Sequence, residues 1–110
     1  MAKPISDAFD VTEIAERLRV DNGGYDVFHA SSGIDLGVYV LVAPEPDPQQ
    51  PHEWDEVYLV LQGRATLIVE GEEIPLVEGG AAYVKAGAEH RFTDYESVSV
   101  LVVFDKTQTA

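Results

Sequence analysis

The sequence predicts an all-β protein, an antiparallel sandwich or barrel preceded by one short helix. Three observations carry that expectation. From residue 25 onward the chain breaks into about eight short runs rich in β-branched and aromatic residues, which alternate with the period of a strand. Glycine-containing dipeptides punctuate the runs: Ser32-Gly33, Gln62-Gly63, Glu70-Gly71, Gly79-Gly80 and Ala86-Gly87. A well-signalled helical segment precedes them all.

That helix starts at Asp10, which forms a capping-box pattern with Glu13, while Phe9 and Ile14 stand at the positions of a hydrophobic staple. Val11, Ile14, Ala15 and Leu18 make one apolar stripe, and Asp21-Asn22-Gly23-Gly24 stops the run. A stripe on one face suits a helix packed on the outside of a barrel.

Strands are expected over residues 25–30, 34–43, 55–62, 64–70, 72–77, 81–85, 90–94 and 97–104. Several are apolar on both faces. In 55–62, Glu56, Tyr58 and Val60 share one side, and Val57, Leu59 and Leu61 share the other. One face lines the barrel interior, and the other needs the helix or a second subunit as cover, so a homodimer is expected. The segment 43–51, APEPDPQQP, sits between two strands and reads as a stiff loop within one domain spanning 1–110.

Composition narrows the function. The 110 residues include no cysteine, which removes disulfides, thiolate metal sites and thiol nucleophiles. A formal net charge of -13, with seven scattered Lys and Arg, argues against nucleic acid and anionic lipid as partners. The first ten residues lack an apolar leader core and no stretch is apolar enough to span a membrane, so a cytoplasmic protein is expected.

The chemistry-bearing residues fall in two blocks. His52, Glu56 and Gly63 are spaced H-x3-E-x6-G within residues 50–63, and residues 79–94 read G-x5-K-x-G-x2-H-x3-D, ending on His90 and Asp94. Together and in this order they resemble the cupin superfamily, whose motifs are G-x5-H-x-H-x3,4-E-x6-G and G-x5-P-x-G-x2-H-x3-N. The resemblance implies a small double-stranded β-helix of the jelly-roll type. It makes His52, Glu56 and His90 ligands of one divalent metal ion. The chain departs from the pattern at Pro44, where a glycine is expected, and at Lys85 and Asp94 in the second block. It also departs at Gln50, which stands where the family places a first histidine.

Two imidazoles and a carboxylate on adjacent strands can form a facial triad suited to Fe(II), with Mn, Ni or Zn also possible. If 50–52 is extended across Pro51, alternation turns Gln50 toward the ion beside His52 as a weak fourth ligand. His52 and His90 read otherwise as polar residues at a barrel mouth. Tyr58 and Phe92 lie two residues beyond Glu56 and His90 on the same faces and, with Tyr39, are candidates to line a substrate pocket or to pack in the core. Trp54 flanks the site, Asp55 is its solvated neighbour, and His29 fits no motif. The expected function is a metal-binding small-molecule protein, either a dioxygenase-like or Lewis-acid enzyme (isomerase or lyase) or a non-catalytic small-ligand module.

Overall fold

The computed structural model describes residues 6–107, so the first five residues, read above for a leader, lie outside it. Helix α1 spans Val11–Val20. The Asp10 carboxylate accepts the Glu13 N–H at 3.1 Å, which caps the helix start. At the other end Asn22 and Gly23 take positive φ values of 67 and 106, and the Gly23 N–H closes on the Leu18 carbonyl at 2.8 Å. Ile14, Ala15 and Leu18 are the buried face, packed on Val38 and Val40 with Phe28, Val42 and Leu61 at the margin. The helix therefore covers part of the outer side of a sheet, as its single stripe requires.

Strands β1 (Gly24–Ala30), β2 (Ile34–Val42), β3 (Asp55–Val69), β4 (Glu72–Val77), β5 (Ala81–Val84), β6 (His90–Thr93) and β7 (Ser97–Asp105) follow. All their pairings are antiparallel. The first half of β3 lies between β7 and β5, and its second half lies between β4 and β6. One strand thus belongs to both sheets of the double-stranded β-helix. Leu67, Tyr58, Phe92, Val98, Val100 and their neighbours fill the space between the sheets.

The expectation of two separate strands, 55–62 and 64–70, broken at Gln62-Gly63 is corrected here. One strand continues through Gly63 without reversing. Register with β7 slips between Val60 and Gln62, a bulge that bends the strand from one sheet into the next. Glycine is required at the bend for two reasons. Its φ is +83, and a Cβ would stand 2.2 Å from the Ser97 carbonyl oxygen.

Burial along β3 follows the pleat: Glu56, Tyr58 and Val60 are buried inward, whereas Val57 is exposed outward. Glu56 pairs with Val84 on one side and Phe104 on the other. Its carboxylate is consequently held in the middle of a sheet and aimed into the barrel.

Candidate metal centre

Three ligand atoms, one each from His52, Glu56 and His90, lie within 4.8 Å of one another. They come from different places in the chain. Glu56 sits near the start of β3, His90 begins β6, and His52 lies in the loop before β3. The Gly87 N–H donates to the His52 carbonyl at 2.7 Å, which ties that loop to the turn preceding His90. The His52 ring packs edge-on against Phe104, with centroids 4.9 Å apart, and tilts over His90 at 5.2 Å.

The buried pair lacks the satisfaction that buried polar groups need. Glu56 Oε1 is 2.8 Å from His90 Nε2 and 3.9 Å from His52 Nε2, and the Glu56 and His90 side chains are each 1% exposed. Yet neither Glu56 oxygen nor His90 Nε2 has a partner in hydrogen-bond geometry. The 2.8 Å approach is close but misaligned, so the contact is electrostatic without being a proper bond. Leaving such atoms unpaired costs about 1–3 kcal/mol each. A cation bound by all three would remove that cost.

The tautomer fits the same role. His90 Nδ1 lies 2.9 Å from the Ala88 carbonyl, an acceptor only, so Nδ1 carries a proton and Nε2 is the ring atom left for a cation. Burial lowers the His90 pKa, but the Glu56 carboxylate and the Ala88 carbonyl outweigh it, and the net shift is upward.

Beside the triad lies a cavity of ≈ 140 Å³. Tyr25, Tyr39, Tyr58 and Phe104 supply its aromatic walls, and His52 and Glu56 reach its lining. Burial drives the Tyr58 and Tyr39 hydroxyls well above the ordinary phenol value, and Tyr25 is pushed up to about 12 for the same reason.

Of the residues singled out from sequence, His52, Glu56 and His90 converge, and Tyr39 and Tyr58 line the cavity. Phe92 does not line it. It is a buried core residue stacked edge-on against Tyr58, with centroids 4.9 Å apart. Gln50 is exposed and, with Gln49, His90, Glu70 and Arg91, lines a second hollow. The Asp47 carboxylate accepts the Gln49 backbone N–H at 3.2 Å. Trp54 packs against Phe104 with Lys106 over its ring, Asp55 accepts the Ala86 N–H, and His29 lies half-buried in β1.

Sequence reasoning missed Tyr25, Asp47 and Gln49. Asp47 is buried and accepts four hydrogen bonds, from Tyr39 Oη, Gln49 N, Gln49 Nε2 and Phe92 N. The one signal available was an acid placed between prolines, where solvation is the ordinary reading.

Residues 38–104 match the Cupin domain family, and with this fold and site the chain belongs to it. It is 36% identical over 103 residues to an uncharacterized protein of Streptomyces coelicolor, a match covering 93% of this chain and 98% of that one. Among solved structures it resembles the TT1209 protein from Thermus thermophilus, with TM-score 0.77 and 26% identity over 91% of this chain and 97% of that chain. It also resembles the DMSP lyase DddQ from Ruegeria pomeroyi, with TM-score 0.71 and 22% identity. That match covers 83% of this chain and 51% of the lyase.

Proposed function

We propose that the protein binds one divalent cation through His52, Glu56 and His90 and uses it to hold a small molecule in the adjoining cavity. The observation that carries this reading is the buried, unpaired trio Glu56 Oε1, Glu56 Oε2 and His90 Nε2. Two imidazoles and a carboxylate suit Fe(II), Mn, Ni or Zn. The ion would supply Lewis acidity, polarising an oxygen of the bound molecule.

The chain's own residues limit what that molecule is. A cavity of about 150 Å³ holds a benzene-sized body, and ≈ 140 Å³ is available here. Among the described residues, no lysine or arginine lines it. A second anionic group, such as a sugar phosphate carries, would be buried without a counter-charge. The part of the ligand beside the ion is therefore compact and apolar, with one oxygen-bearing group directed at the ion. A DMSP lyase has a similar fold, so lyase activity belongs among the reactions to be tested.

One observation favours a second reading, a binding module without turnover. Tyr39 Oη already donates to Asp47 at 2.6 Å and Tyr58 Oη to Gln49 at 2.8 Å. Burial keeps both protonated near neutral pH. They position and exclude water; neither serves as a base.

Ligand-observed NMR with benzoate on the Zn-loaded protein tests the proposal. Benzoate should bind, terephthalate with its second carboxylate should not, and excess chelator should release benzoate. Benzoate binding that is unaffected by chelator would contradict it.

A further inference from the structure

We propose that Gln49 provides a fourth donor to the metal centre, with its amide carbonyl held inward by Asp47; this rests on the cation-binding reading above. Asp47 is a carboxylate, and an ionised carboxylate only accepts. Gln49 Nε2 stands 2.6 Å from Asp47 Oδ2. The NH2 end of the amide must therefore face Asp47, and the carbonyl end must face the opposite way. The amide orientation is dictated by chemistry instead of being a free choice between two flips.

The direction it faces is the site. Gln49 Oε1 accepts from Tyr58 Oη at 2.8 Å and lies 3.3 Å from His52 Nε2. Tyr58 takes one of the two lone pairs on that oxygen. The second meets His52 Nε2, which donates to it when that nitrogen carries the proton. As a metal ligand, His52 Nε2 must carry a lone pair and has no proton to give Gln49. An ion between them would satisfy both atoms. Two ligand atoms each about 2.1 Å from one ion lie roughly 3.0–3.4 Å apart at octahedral or tetrahedral angles, and the observed 3.3 Å falls in that span. Gln49 lines the same cavity as His52 and Glu56, whereas Gln50 is exposed.

Asp47 is then a positioning residue. Its other acceptor bonds, to the Phe92 N–H at 2.8 Å and Tyr39 Oη at 2.6 Å, anchor it to β6 and β2. The Gln49 amide thereby inherits the rigidity of the barrel.

The test is chelator-competition titration with Zn(II), together with visible absorption of the Co(II)-loaded protein. It compares the parent with Gln49→Leu, Gln49→Glu and Gln50→Ala. Gln49→Leu keeps the side-chain volume, removes the oxygen, and should weaken Zn(II) binding by roughly tenfold or more while altering the Co(II) bands. Gln49→Glu keeps an oxygen donor and adds charge but loses the bond to Asp47, so it should bind more tightly than Gln49→Leu. If Gln49 acted only by positioning its neighbours, both variants would weaken binding equally. Gln50→Ala should behave as the parent. Parent-like affinity and Co(II) bands in Gln49→Leu overturn the fourth donor and leave the triad standing, as does equal weakening by Leu and Glu. A parent that binds no cation overturns both readings.

Discussion

His90 Nε2 stands 2.8 Å from Glu56 Oε1, both side chains 1% exposed, and the two do not meet in hydrogen-bond geometry. This close approach of a buried carboxylate and a buried imidazole outside hydrogen-bond geometry is the feature on which the cation proposal rests. The remainder of the site follows from that pair. Nδ1 of His90 is committed to the Ala88 carbonyl, His52 comes in from the loop, and the cavity opens beside them.

Opposite pH dependences should follow for the metal-free and metal-loaded protein. The folded pKa of His90 is raised above 6.5. In the metal-free protein, protonated His90 beside Glu56 adds stability that is fully present below that value, and the contribution is lost as pH rises through the folded pKa. Cation binding has the reverse sign, because the ion displaces that proton. Chelator competition between about pH 5 and 8 should show affinity rising with pH, because the ion displaces protons from its histidine ligands. Affinity independent of pH would mean that neither histidine is a ligand.

Gly63 ends the first motif and Gly79 opens the second, and the two should respond differently to alanine. A Cβ at Gly63 would strike the Ser97 carbonyl at 2.2 Å, whereas one at Gly79 meets nothing within 4 Å, although φ is +86 there. Gly79→Ala should cost only the backbone term, about 1 kcal/mol. Gly63→Ala should cost roughly 3 kcal/mol or more and lower Tm by more than about 10 °C. Thermal melts of the two variants check this, and equal melting points would remove the steric argument for the bend in β3.

The outer face of β3 should be covered by a second copy of the chain. Val57, 41% exposed, lies opposite Tyr83 of β5, 59% exposed, and on its other side pairs with Val103 of β7. Helix α1 packs elsewhere, on Val38 and Val40. An uncovered apolar patch of this kind favours a C2 dimer. Light scattering should give twice the 12.0 kDa chain mass, and a Val57→Glu, Tyr83→Glu double variant should halve it. A monomeric parent at high concentration would rule the dimer out.

The triad was legible in the sequence because the spacing of His52, Glu56 and His90 resembles the two cupin motifs, and the pleat of β3 then turns Glu56 inward. The helix was legible because its cap and stripe are local. Gln49 was not: it belongs to no motif, and the direction of its carbonyl depends on contacts with Asp47 and Tyr58 that only the fold brings together. Gly63 was misread as a turn because a glycine after an apolar run looks the same whether the chain reverses or crosses between sheets. Tyr25 joins the cavity through pairing opposite Tyr39, and a strand pairing of that kind leaves no mark in the residues themselves.

The most direct test is elemental analysis of tag-free protein beside the His52→Ala, His90→Ala double variant, each incubated with Zn(II) or Fe(II) and desalted. The parent should retain about one divalent ion per chain and the variant almost none. Equal metal content in the two proteins, or none in the parent, would contradict a metal centre at His52, Glu56 and His90.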